Sequence, residues 1–208
     1  MSIITIPPGL CVQRVDWGTV NYDLKSSFSD TGASQSKRLA PNRWSAAIVA
    51  PDKMTRREAG IFSALISALN GQVNKLAVYD MQYPVIAGSA RGVWTVSEPS
   101  ARWSNTLAVY LGTAYAGKTV LKGDLVGVHQ DSDRRQLLQV REDSGVDPLG
   151  YMRLYFDHAL RYALVPGDIV VYDRPTALME RNTTTSSWSG TGSLRGGHSL
   201  DMIEVFQA

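Results

Sequence analysis

Apolar residues in this chain recur mostly with the two-residue or run-like spacing of strands, and only once with the spacing of a helix. The helical stretch lies between two strand-like runs. Arg43-Trp44-Ser45-Ala46-Ala47-Ile48-Val49 carries an aromatic and β-branched residues and is closed by Pro51-Asp52. Thr55-Arg56-Arg57-Glu58 then has capping-box spacing, in which the threonine hydroxyl accepts from the Glu58 amide and the carboxylate reaches back to the Thr55 amide. Ile61, Phe62, Leu65, Ile66 and Leu69 follow on one helical face, and Asn70-Gly71 supplies residues that tolerate a left-handed end. Lys75-Leu76-Ala77-Val78-Tyr79 is strand-like again.

Around this core the pattern is almost wholly β. Ile3 to Ile6 stops at Pro7-Pro8-Gly9 and predicts an arm or edge strand; Cys11 to Trp17 alternates as a half-buried strand does. Phe28 to Arg38, rich in Ser, Gly, Gln and Lys, reads as a loop or an exposed hairpin. Further strands are expected at 92–96, 106–111, 136–140, 151–156 and 202–206. Leu121-Lys122-Gly123-Asp124 resembles Val165-Pro166-Gly167-Asp168, each a Gly-Asp turn launching an apolar strand. Residues 182–197, dominated by Thr, Ser and Gly around Trp188, read as a mobile loop. The expected fold is mainly β with a minor α part: an antiparallel β-sandwich or barrel with one flanking α-helix, and room for a second small barrel-like part. Residues 1–208 form a single structural unit, or divide into a strand-helix-strand part at 1–111 and a β-rich part at 112–208.

Composition narrows the partners. With 44% hydrophobic and 19% charged residues the chain is that of a folded protein, and a net charge of +2 gives no electrostatic reason for a nucleic-acid or membrane partner. No apolar run approaches the ~20 residues of a membrane helix, so no membrane insertion is expected. The N-terminus lacks the basic and apolar segments of a signal peptide, which predicts synthesis and folding in the cytoplasm. One cysteine, Cys11, excludes an internal disulfide, and it reads as a small core residue in a strand.

Candidate chemistry is sparse. Gly112-Thr113-Ala114-Tyr115-Ala116-Gly117-Lys118-Thr119 matches the G-x-x-x-x-G-K-[ST] phosphate loop after a strand, with Ile169 to Asp173 as a formal acidic strand. A phosphate loop must feed a helix whose N-terminal amides complete the anion site, and Val120 to Asp124 leaves no space for one. A plain turn is therefore expected. His129, His158 and His198 share no metal spacing, and Asp157-His158 reads as a hydrogen-bonded surface or turn pair. No catalytic residue, cofactor or metal is expected. Arg56 and Arg57 stand in a first helical turn, where the macrodipole disfavours cations; they are either solvated or contacts to a neighbouring subunit's carboxylates. Trp188 either folds back on the core, anchors an interface or stacks on a sugar.

Taken in order, several segments together resemble the distal tail proteins and related minor tail proteins of long-tailed bacteriophages. They are Phe28-Ser29 with Gly32 and Gln35, the Arg43-Trp44 strand, Met54 to Ala59 opening a helix that ends Ala68-Leu69-Asn70-Gly71, and Val78-Tyr79-Asp80. Leu121 to Asp124 followed by Arg135 to Val140 completes the set, which spans roughly positions 28 to 175. The resemblance implies a tail-tube-like β fold assembled as a ring, six subunits in number, between the tail tube protein and the tail tip or hub proteins. Such a ring leaves a channel through which genome DNA passes without sequence-specific binding, and it belongs to the virion. It carries no catalytic residues, and Arg56, Arg57 and Trp188 would be interface contacts. The alternatives are a carbohydrate- or receptor-binding β module, with Trp188 or Trp103 stacking on a sugar, and a phosphate-loop nucleotide hydrolase.

Overall fold

The computed structural model describes residues 2–27, 34–183, 189–191 and 194–206. In chain order the first elements are β1 (Ile3–Thr5), β2 (Arg14–Ser27), β3 (Ser34–Val49), α1 (Arg56–Leu69) and β4 (Lys75–Tyr79). A central block follows: β5 (Trp94–Val96), β6 (Thr106–Tyr110), β7 (Thr119–Val120), β8 (Leu125–Val128), β9 (Gln136–Gln139), β10 (Ser144–Gly145), β11 (Tyr151–Tyr155) and β12 (Ile169–Val171). The chain ends with β13 (Thr176–Arg181), β14 (Ser189–Thr191), β15 (Leu194–Gly196) and β16 (Ser199–Glu204). The protein is thus mainly β with one α-helix, as the spacing predicts.

Two six-stranded sheets carry the fold. The first has the order β1-β4-β13-β16-β3-β2 and the second β11-β6-β5-β12-β8-β9. All neighbours are antiparallel except β1, which lies parallel to β4. The second sheet is built wholly from the middle of the chain, and β13 and β16 return to fill the centre of the first. Residues 111 and 112 follow β6 inside the second sheet, and β4, paired on one side with β1, takes its other partner, β13, only after residue 175.

The helix begins as its sequence dictates. Thr55 is extended at φ −65°, ψ 161°, and the Glu58 amide donates to its hydroxyl at 3.4 Å, while the Thr55 amide donates to the Glu58 carboxylate at 2.8 Å. The Thr55 amide and, after it, the Thr55 hydroxyl donate to the Glu58 carboxylate and hold it below its usual pKa. Asn70 closes the helix in the left-handed conformation at φ 46°. Between the caps, Ala59, Phe62, Leu65, Ile66 and Leu69 are buried in one core with Ile48, Leu76, Met179 and Met202 of the first sheet. Each large side chain there contributes about 1.5–3 kcal/mol. The second sheet has its own core around Trp94, Leu107, Leu154 and Phe156.

Of the loop and the exposed hairpin expected around Phe28 to Arg38, the described residues form the hairpin, since β2 and β3 pair from Arg14↔Val49 out to Ser27↔Ser34. Residues 189–196 include a two-stranded ribbon, Ser189↔Gly196 to Thr191↔Leu194, where a mobile loop is expected. Cys11 is corrected too: it lies ahead of β2 in irregular chain and is half-buried, so it is no core strand residue.

Candidate functional site

The most unusual geometry belongs to the β2–β3 hairpin. Its strands are 14 and 16 residues long. The next strand inward, β16, pairs only with Ser45 to Val49. From Thr19↔Trp44 outward the two strands pair with each other and, among the described residues, with no third strand. At 3.3 Å per residue this free ribbon reaches roughly 30 Å beyond the sheet. The register slips between Val20 and Tyr22 and again between Tyr22 and Asp23. Pro41, which has no N–H to give a ladder, lies at the first slip, so the ribbon bends where its sequence withholds a bond.

The ribbon is anchored at its root by one polar cluster. Trp44 donates its backbone N–H to the Glu204 carboxylate at 3.0 Å and its indole N–H to the Leu137 carbonyl at 2.9 Å. Its ring stacks on His158, with centroids 4.5 Å apart and planes at 27°, and meets Trp17 edge-on at 5.9 Å. Arg161 donates to the Asn42 carbonyl and lies over the Phe206 ring at 4.5 Å, while its own amide donates to Gln136 at 2.6 Å. Burial pushes the Glu204 carboxyl up to about 8 against the opposing pull of the Trp44 amide, Arg161 and Arg43. The cluster ties hairpin, C-terminus and second sheet together. His158, whose sequence position suggests a surface or turn pair, is accordingly a buried ring stacked on Trp44.

The outer face of the second sheet carries a contiguous row. Tyr151 pairs with Tyr110, Tyr110 with Thr95, and Thr95 with Ile169, so four side chains stand side by side across β11, β6, β5 and β12. Tyr151 is 46%, Tyr110 39% and Ile169 60% exposed, and the two tyrosine rings are 5.0 Å apart.

The formal phosphate-loop match folds as a turn. Thr113–Tyr115 is a 3-10 turn and Thr119 opens a strand. The amides that would cradle an anion are spent internally: Tyr115 donates to Gly112, Ala116 to Thr113, Gly117 to Val146 and Lys118 to Tyr115. Thr119 donates to the Ser89 hydroxyl. Five successive donors therefore have protein acceptors, and the segment is not built to hold phosphate.

Of the residues singled out from sequence, Arg56 and Arg57 are exposed at the start of α1 and make no ion pair among the described residues. Trp188 lies outside the described residues. Trp103 is half-exposed, with the Arg102 guanidinium 4.6 Å from its ring. Among the described residues no hydrogen bond, ion pair or ring contact joins Arg56 or Arg57 to Trp103. His198 is fully buried, its ring 3.2 Å from the Ser63 hydroxyl and 5.4 Å from Phe62. His129 is 3.6 Å from Asp168. Among the described residues no group of three or more His, Cys, Asp or Glu is placed to hold a metal, and no helix is long and apolar enough to cross a membrane. Compared with known proteins, the chain matches no family model and no curated protein sequence.

Proposed function

We propose that this chain is a structural subunit of a phage tail, assembling with copies of itself into a ring at the distal end that joins tail tube to tail tip and leaves a channel for DNA. The observation that carries the reading is the free ribbon of β2 and β3. A two-stranded hairpin is marginal in water by itself, and a third strand or a packed face is what makes one stable. A ribbon of roughly 30 Å that pairs, among the described residues, with no third strand is therefore shaped for a partner outside the chain. An identical neighbour can supply a strand edge in a heterologous, ring-closing contact. The row of Tyr151, Tyr110 and Ile169 supports the same reading, since a cluster of exposed aromatic and aliphatic side chains is typical of interface cores. Arg56 and Arg57, both exposed, are available as polar contacts at the rim of such an interface.

Light scattering and electron microscopy on the purified chain test the proposal. The intact chain is expected to form closed rings, and a variant with residues 20–43 replaced by a two-residue Asn-Gly turn is expected to be a folded monomer. A monomeric intact chain at tens of micromolar, or rings unchanged by removing the ribbon, would refute the reading.

A further inference from the structure

A cleft of about 380 Å³ lies between the root of the hairpin and the second sheet, at the small end of the ~300–1,000 Å³ range of ligand pockets. Trp17 and Trp44 line it from the first sheet, Asp80 and Tyr83 from the segment after β4, and Lys122 and Gln139 from the second sheet. Its chemistry is unlike that of a packing defect. Tyr83, 73% exposed, stands at this cleft, whose lining is mainly apolar with polar groups among it. It is presented there by a turn in which the Gln82 and Tyr83 amides both donate to one oxygen of Asp80. The second Asp80 oxygen, the Lys122 ammonium, the Gln139 amide and the Tyr83 hydroxyl make no polar contact among the described residues. The Trp17 indole N–H is sheltered from water and has no acceptor among the described residues. Five polar groups thus surround one cleft with their bonding capacity unspent.

We infer that this cleft binds a short, neutral saccharide. Stacking on an aromatic face and a mixed set of donors and acceptors together match a sugar ring, which has apolar C–H faces and hydroxyls around its edge. Two carboxylates, Asp80 and Asp124, face one ammonium, Lys122, so the cleft has no pull for an anion. The Asp80 carboxylate also argues against a phosphorylated ligand. A purely apolar ligand would leave the polar groups of the cleft without partners. The inference is independent of ring formation, because every residue named lies on one chain.

The test is a glycan array probed with the full chain, followed by titration of each hit by tryptophan fluorescence. At least one neutral mono- or oligosaccharide is expected to bind. Tyr83→Ala and Gln139→Ala are each expected to weaken it about tenfold, and Lys122→Ala to weaken it measurably. Trp103→Ala, outside the cleft, should leave affinity unchanged. Tyr83 and Lys122 are exposed, so these variants keep the fold, and thermal melts by circular dichroism verify it. Absence of any glycan binding, or binding indifferent to Tyr83 and Gln139, overturns the inference. So does a Tyr83→Ala variant that loses assembly but binds no glycan in either form, which would assign the cleft to a subunit contact.

Discussion

The indole of Trp44 donates to the backbone carbonyl of Leu137, 93 residues away, at 2.9 Å. Leu137 lies on β9, an edge strand of the second sheet, and Trp44 lies where the hairpin leaves the first. A side chain from one sheet thus satisfies an acceptor on the open edge of the other, which both covers that edge and fixes the root of the ribbon.

Trp44→Phe keeps an aromatic ring for the His158 stack but removes the donor. The Leu137 carbonyl is then buried without its partner, at a cost of about 1–3 kcal/mol. Thermal unfolding should show a melting point lower by several degrees. An unchanged melting point would mean that the sheets are held together elsewhere.

Glu204 makes stability depend on pH in a direction opposite to most carboxylates. Its folded pKa, about 8, is above the ordinary 4.5, so the fold retains a proton that the unfolded chain releases. Below about 4.5 both states are protonated and the fold carries no penalty. Between 4.5 and 8 the unfolded state is increasingly favoured, and above 8 the loss levels off. Glu204→Gln keeps an acceptor for the Trp44 amide and cannot ionise. Urea titrations at pH 5 and pH 8 should therefore show the variant gaining on the parent at pH 8 by on the order of a few kcal/mol. Equal differences at both pH values would contradict the assignment.

Gly88 is a third point of test. A Cβ there would lie 2.3 Å from the Thr119 carbonyl oxygen and 2.8 Å from the Val120 Cα, both backbone atoms that cannot swing aside. Gly88→Ala must push β7 away and disturb the Ala90 to Thr119 hydrogen bond. A loss of roughly 1–3 kcal/mol is expected, as for overpacked cores. Gly60→Ala is the control, because a Cβ there meets nothing within 4 Å and sits in a helix, where alanine is favoured by about 1 kcal/mol.

What could be read from the sequence follows from the range of the interactions involved. The box at Thr55 and Glu58, the apolar face from Phe62 to Leu69 and the left-handed end at Asn70 are all local, and the helix forms where they place it. The central strand β13 was not legible. Thr176-Ala-Leu-Met-Glu-Arg lacks β-branched residues after its first position and, buried on both faces, shows no alternation. Nor could the candidate cleft be seen, since Trp17, Tyr83, Lys122 and Gln139 meet only after the chain has left and re-entered the first sheet. The same holds for His158, whose neighbour in sequence is Asp157 but whose neighbour in space is Trp44.

The Gly-Asp repeat is the instructive intermediate case. Both turns form alike: Gly123 and Gly167 have φ of 94° and 96°, and Asp124 and Asp168 each accept the amide three residues earlier, from Leu121 at 2.8 Å and Val165 at 2.9 Å. The strands they launch, β8 and β12, lie side by side. Yet the two aspartates differ in what else they hold. Asp124 is buried and also accepts the amides of Ala87 and Gly88 at 2.7 and 3.1 Å, whereas Asp168 is part-exposed with His129 at 3.6 Å. Asp124→Ala therefore strands three amide donors, that of Gly88 buried and those of Ala87 and Leu121 part-buried, and should cost about 2–3 kcal/mol, whereas Asp168→Ala strands one that water can reach and should cost about 1 kcal/mol. Paired urea melts measure the gap directly. Equal losses would show that the turn alone matters and that the Ala87 and Gly88 amides find other acceptors.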